Sequence, residues 1–517
     1  MQQNLLKMKQ KHFLLLLLRP SLSRPDFCSV IPSQYWESPV CSGISRLEDM
    51  SLTPMPAVPP GAEPVGPASP RRPIRLLLIA YAFPPVGGIM VMRALSLAKY
   101  LPSCGFQVHV LSAANAAAPL RDPGLLAHVP PSVSLHHAFT PELPFHFRKK
   151  LWNLVARPKP APPSRQSESG APSESFIANL ARRIFSPDPQ VVWVPFALRA
   201  ARRIIRRHQI QAVLVTAPPF SVFLIGNALK TSFPHLRLIS DFRDEWLRFY
   251  LTDFDFLRSS YTRRRAERIE ADTVALSDLV VAVTESSLRE IRSRYPGQPD
   301  EKFALVHNGY DPEVLQPVFE NQPPPPPGPR SRVIITHLGT AYRTASPAFF
   351  LDAIESLPEE IRSRIEIRFI GRISETEEQL LAARGSSVRI LGFLPQQQAL
   401  ARLSETDYLL LTMTNEFSLP GKLFEYLASG KPIIALSPEN GEVARLIAET
   451  GAGWCVPHDQ PEAIRRVVAE AVRLALGNNI PFRPRRDVIS RFERPRLVAS
   501  YASLIRERLF PDDLNWG

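Results

Sequence analysis

Ile74-Arg75-Leu76-Leu77-Leu78-Ile79-Ala80 is followed by the break Pro84-Pro85-Val86-Gly87-Gly88, a helical pattern from Met90 to Leu101 and a second run, Val108-His109-Val110-Leu111. A short, continuous apolar run bounded by turn residues reads as a strand covered on both faces, as strands of parallel sheets are. Strand, glycine turn, helix and strand make a βαβ unit, whose crossover is right-handed. Working outward, the alternation repeats. A helix is expected at Phe196–His208, a strand at Ala212–Val215, a helix from about Ser221, and strands at Leu236–Ser240 and Leu279–Val283, with one more ending at Val306-His307. Residues 141–190 interrupt the series with Pro, Ser and aromatic-basic pieces such as Phe145-His146-Phe147-Arg148-Lys149-Lys150. Beyond the stiff run Pro323–Pro327 a second series begins, with strands at Val333–Ile335, Ile365–Ile370, Val388–Ile390, Tyr408–Leu411 and Pro432–Leu436.

The pattern predicts an α/β protein of two Rossmann-like, doubly wound domains facing a cleft. The expected divisions are a Pro-rich, disordered extension over 1–72, a first domain over 73–318, a linker over 319–331, a second domain over 332–478 and terminal helices over 479–517. A chain of 517 residues has room for two such cores. Its 54 prolines, about twice the usual ~5% share, gather in the extension and linkers.

A net charge of +13 favours anionic partners, but the basic residues form no nucleic-acid-type tract. They sit on helices, as in Arg202-Arg203-Ile204-Ile205-Arg206-Arg207 and Arg263-Arg264-Arg265, which reads either as solvated faces or as a patch against an anionic membrane. The cysteines, Cys28, Cys41, Cys104 and Cys455, show no CxxC pair and no His at ligand spacing, so no structural zinc and a reducing compartment are expected. Lys7, Lys9 and Lys11 precede the apolar run Phe13–Leu18, which falls short of the ~7–15 residues of a signal core. No run reaches the ~18–20 apolar residues of a spanning helix. A cytoplasmic protein, with Met50 as an alternative start, is the expectation.

Chemistry concentrates in Ser418-Leu419-Pro420-Gly421-Lys422-Leu423-Phe424-Glu425-Tyr426-Leu427-Ala428-Ser429-Gly430-Lys431-Pro432. Pro420 and Gly421 suit the start of a helix, and Gly430 and Pro432 its end. Free backbone N–H groups and the positive dipole end at that start suit a phosphate, to which Lys422 adds a charge. One turn on, Glu425 has two oxygens for a pair of sugar hydroxyls. A plain amphipathic helix with a solvated Lys and Glu is the alternative. Asp241, Arg243 and Asp244, with Trp246, crowd one strand end; they read either as an internal ion pair or as acceptor-binding and proton-accepting groups.

The segment 418–432 resembles the donor motif of retaining glycosyltransferases of family 4, which have the two-Rossmann GT-B fold. Tyr81–Gly88, Thr216–Ser221, Asp241–Trp246, His307–Asp311, Leu338-Gly339-Thr340 and Leu391-Gly392-Phe393-Leu394 are similar to other segments of that family, in the same order, across roughly residues 74–475. The resemblance implies that a hexose-type sugar moves, with retention, from a nucleotide-sugar to a glycan or lipid-linked acceptor. It points to cell-envelope polysaccharide synthesis, at the inner face of the cytoplasmic membrane. It implies no cofactor, no metal and no nucleic acid. The donor would be held by Gly87, Gly88, Gly339, Thr340, Arg343, Phe393, Leu394, Ser418, Leu419, Gly421, Lys422 and Glu425, with Asp241, Asp244 and Glu416 as catalytic candidates. Terminal helices in the family cross back to the first domain. One departure stands out: the full motif has two glutamates eight positions apart, and eight before Glu425 is Phe417. Either Glu416 takes that role, or backbone amides from Asn415 to Leu419 do. A nucleotide-sugar epimerase of the same fold and a non-catalytic nucleotide-sugar binder are the alternatives.

Overall fold

A computed structural model describes residues 72–511, apart from 119, 143–182, 249–259, 321–330, 343–344, 383, 385–386, 479 and 481. The aromatic-basic stretch, the Pro323–Pro327 run and the N-terminal extension lie outside the described residues, as do Arg343, Cys28 and Cys41. Cys104 and Cys455 are free thiols.

The first series forms a seven-stranded parallel sheet. Its strands are β1 (Ile74–Ile79), β2 (Phe106–Ala113), β3 (Ser134–Ala138), β4 (Ala212–Ala217), β5 (Arg237–Phe242), β6 (Leu279–Ala282) and β7 (Phe303–Leu305). Their order is β3-β2-β1-β4-β5-β6-β7. Helices α1 (Met92–Tyr100), α2 (Val194–His208), α3 (Val222–Ser232), α4 (Ser260–Leu276) and α5 (Glu285–Arg294) connect them. The apolar run that opened the sequence is fully enclosed: Leu76 to Ile79 show no surface, as a strand covered on both faces requires. Each such side chain contributes about 1.5–3 kcal/mol on leaving water.

Helix α6 (Pro312–Glu320) leads to a six-stranded sheet, β10-β9-β8-β11-β12-β13. Its strands are β8 (Val333–Leu338), β9 (Ile365–Ile370), β10 (Val388–Gly392), β11 (Tyr408–Thr412), β12 (Ile433–Leu436) and β13 (Gly453–Val456). Around it lie α7 (Ala348–Glu355), α8 (Glu359–Arg362), α9 (Glu375–Ala382), α10 (Gln396–Ala401), α11 (Gly421–Ser429), α12 (Glu442–Thr450) and α13 (Pro461–Leu476). The expected class, two doubly wound α/β sheets, is the observed one. Two strands escape the sequence reading: β3, whose Ser-Leu-His-His-Ala is no apolar run, and the short edge strand β13.

After α14 (Arg486–Ile489) the chain returns to the first sheet as α15 (Arg494–Leu509), where Val498, Tyr501, Ile505 and Leu509 join the first core. Pro495 stands in the first turn of this helix, where a missing N–H costs nothing. The outgoing and returning segments bond to each other. Tyr310 N donates to the Phe492 carbonyl at 3.0 Å, and Arg494 N donates to the Tyr310 carbonyl at 2.8 Å. Gly309 makes the approach feasible, because a Cβ there would stand 2.1 Å from the Phe492 oxygen.

Candidate functional site

In both sheets the strand order reverses once, between β1 and β4 and between β8 and β11. Open α/β sheets bind ligands at the carboxyl ends of strands at such points. The loops that leave these four strands meet around a cleft of about 970 Å³. Gly88, Pro218, Arg243, Asp244, Gly339, Thr340, Phe393, Leu394, Ser418, Leu419, Gly421, Lys422 and Glu425 all line it. The first sheet also contributes Ile89, whose Cδ1 would stand 2.5 Å from a Cβ on Gly421, so the two sides touch there.

On the second-domain side α11 starts at Gly421, and Pro420 before it gives no side-chain cap. Its first-turn amides therefore face the cleft with the positive end of the helix dipole. Lys422 lies at the floor beside Gly339, with Nζ 3.0 Å from Nε2 of His337, a fully buried residue on β8. The enclosing protein pushes the Lys422 ammonium down to about 7, and no carboxylate among the described residues offsets it. Burial, then Lys422 itself, hold the His337 ring neutral, so its Nε2 can accept from the ammonium. A cation enclosed without a counter-ion is costly unless a ligand brings the negative charge. Glu425, a turn further along, has its carboxyl pushed up by burial; Arg494 and a 3.0 Å hydrogen bond from Gln396 Nε2 oppose the shift. Phe393 leaves half its surface exposed in the cleft, room for a flat ring to lie on it.

The first-domain side corrects several expectations. Gly88, with φ +89°, lines the cleft, but Gly87 does not. Instead Gly87 packs on Asp122, 3.1 Å from where its Cβ would be, and donates its N–H to the Leu120 carbonyl. Asp241 is not a free acid or base. It is completely enclosed, takes Arg93 in a forked ion pair at 2.6 and 2.8 Å, and accepts from the Thr216 hydroxyl at 2.7 Å. Its oxygens are thus spent on scaffolding, and Arg93 lines the cleft in its place. Asp244 does line the cleft; burial raises its pKa, against the pull of Arg243. Glu416 points away from the cleft, to an ion pair with Arg248 of the first domain at 2.6 Å, and both side chains are nearly half exposed. Phe417 is buried between the domains under the same Arg248, and its carbonyl accepts from Thr284 at the start of α5. Neither residue lines the cleft, whereas Asn415, Ser418 and Leu419 do.

Four further cleft residues had no sequence signal. Asp188, in Pro187-Asp188-Pro189, accepts from Ser221 N at 2.8 Å, and burial lifts its carboxyl to about 6. Arg93 comes from α1, and Arg494 from the returning chain, where it donates to the Gly309 carbonyl at 3.0 Å. Asn308 lies in a segment already singled out, but nothing in the segment says that it faces the cleft.

Two family models match the chain: one described as Glycosyltransferase Family 4 over residues 154–314, the other as Glycosyl transferases group 1 over residues 332–473. A curated relative, a probable glycosyltransferase WbjE of Pseudomonas aeruginosa, is 26% identical over 155 residues, 29% of this chain and 38% of that protein. The chain thus matches well under half of that relative's length. Among solved structures, sucrose-phosphate synthase from Thermosynechococcus elongatus is 14% identical with a TM-score of 0.56, over 85% of this chain and 100% of that one. HepE of Anabaena, in complex with UDP and glucose, is 14% identical with a TM-score of 0.53, over 84% and 100%. At this identity the likeness is one of fold, and that fold is GT-B.

Proposed function

The chain belongs to glycosyltransferase family 4, in the group 1 glycosyl transferases, and from that premise we propose that it transfers a hexose-type sugar from a nucleotide-sugar to a glycan or lipid-linked acceptor with retention. Lys422 carries the proposal. A half-buried ammonium with no carboxylate partner among the described residues, beside an uncapped helix start in an open cleft, fits a diphosphate. Thr340 and the amides of Leu419, Gly421 and Lys422 would share that anion, Glu425 would take the ribose hydroxyls, and Phe393 and Leu394 would contact the base. HepE, a neighbour in fold, is described with UDP and glucose bound, which agrees with a donor of this class.

On the acceptor side, Asp188 and Asp244 are carboxylates in the cleft with pKa values raised by burial, suited to hold an acceptor hydroxyl. The leaving diphosphate would take the acceptor's proton on the same face of the sugar. The protein's part is then to position the reactants and stabilise the diphosphate with Lys422 and the helix amides. No cofactor or metal enters this scheme. Incubation with a panel of labelled nucleotide-sugars tests it. Release of one nucleoside diphosphate, raised by an acceptor extract, is expected; no release from any donor contradicts transfer.

A second reading is favoured by Phe417 and Glu416, which leave the first motif glutamate without a counterpart: a protein that binds the nucleotide-sugar without transferring it. Donor binding without turnover would select it. The membrane side of the proposal rests on α2, where Arg199, Arg202, Arg203, Arg206 and Arg207 line one groove. Salt-sensitive co-sedimentation with anionic vesicles is expected at the inner membrane face's lipid charge, and its absence at low salt would favour a soluble acceptor. Among the described residues no helix is long and apolar enough to cross a membrane.

A further inference from the structure

Away from the cleft, three histidines that no feature of the proposed reaction uses converge on one face of the first sheet. The β2–β3 register pairs Leu111 with His136. Side chains two apart on a strand share a face, so His109 and His136 stand diagonally adjacent on the same side. Helix α2 packs over that side and ends at His208. Nδ1 of His109 lies 3.1 Å from Nε2 of His136, and the His109 and His208 rings are 4.4 Å apart. One ring nitrogen from each residue falls within 4.8 Å of the other two. None of the three lines the cleft.

We propose that His109, His136 and His208 form a transition-metal site, of the class that takes Zn2+, and that the ion ties β3 and the end of α2 to β2. A tetrahedral ion with nitrogen ligands at ~2.0–2.1 Å sets neighbouring nitrogens about 3.3 Å apart, close to the spacing of the His109–His136 pair. Three imidazoles with a water in the fourth position is an established zinc set, and nitrogen-only ligation disfavours Mg2+ and Ca2+. His109 is buried, while His136 and His208 keep surface open for the ion and its water. The C-terminal end of α2 turns its negative dipole end and free carbonyls to the site, which offsets part of the charge. Arg207, on the same helix as His208, stands near His136, and its charge opposes a cation there.

The untagged full chain, freed of metal with a chelator, tests this. Titrated Co2+ should give the visible absorbance of a tetrahedral centre at one equivalent. Zn2+ should compete it away and raise the melting temperature. Substituting His208→Asn at the open helix end should weaken Zn2+ by more than the ~10–100-fold that loss of an outer partner costs, with circular dichroism unchanged. His136→Asn should do the same, and His208 alone decides if that variant does not fold. No tetrahedral spectrum with the wild type, or equal Zn2+ affinity in a folded His208→Asn protein, overturns the site.

Discussion

The two walls of the cleft handle charge in opposite ways. On the first domain, Asp241 and Arg93 neutralise each other inside the protein, with Thr216 and the His307 carbonyl taking the remaining hydrogen bonds. On the second, Lys422 lies half-buried in the cleft beside a neutral imidazole, with no carboxylate partner among the described residues. One arrangement is complete and the other lacks an anion. A satisfied charge holds the fold together; an unsatisfied one, at a strand-switch point, waits for a ligand.

Substitution on each wall should therefore fail in a different way. Asp241→Ala strands Arg93 as an enclosed, unpaired cation and should cost about 3–5 kcal/mol of stability, read as a large fall in melting temperature. A small fall would mean that the pair is dispensable and would blur the contrast. Lys422→Met removes a charge that has no carboxylate partner. It should leave stability unchanged or raised, but weaken a nucleoside diphosphate by about 1.5–3 kcal/mol in calorimetry. Loss of folding instead would place Lys422 with the scaffold. Glu425→Gln should cost about 0.5–1.5 kcal/mol in donor affinity, and nothing for a donor analogue without ribose hydroxyls. Glu416→Ala opens only the half-exposed pair with Arg248, so it should change stability and nucleotide affinity by under about 1 kcal/mol. A large loss of turnover there, with folding intact, would return Glu416 to the site.

The same contrast explains what could be read from the sequence. Buried strands such as Ile74–Ile79 and Tyr408–Thr412 announce themselves as apolar runs because both faces are covered. β3 and β13 are edge strands; their half-exposed, mixed residues carry no such run. Ser418–Glu425 was legible as a helix start because Pro420-Gly421 and the residues around it are a local device, written in consecutive positions. Asp241 stayed open between an internal ion pair and an acceptor-binding group for the opposite reason. Arg243 and Asp244 beside it suggested a local cluster, but its partner Arg93 lies 148 positions away on α1. Arg93, Asp188 and Arg494 come from three separate segments, and only the fold brings them to one cleft.

The pH dependence of binding carries the contrast furthest. In the empty protein Lys422 titrates at about 7 rather than its ordinary 10.5. The folded state therefore binds fewer protons than the unfolded one between those values. The stability cost of the charge is full below about pH 7 and fades as pH rises toward 10.5. A bound diphosphate favours the charged form, so its affinity should be greatest below about pH 7 and fall above it. The most direct test is calorimetry of a nucleoside diphosphate near pH 8, in buffers of different ionisation enthalpy. A diphosphate is fully ionised there, since its last proton leaves near ~6. The wild type should take up most of one proton per nucleotide bound, and Lys422→Met should take up none. Binding without proton uptake, or with equal uptake in the variant, would show that the diphosphate does not sit against Lys422.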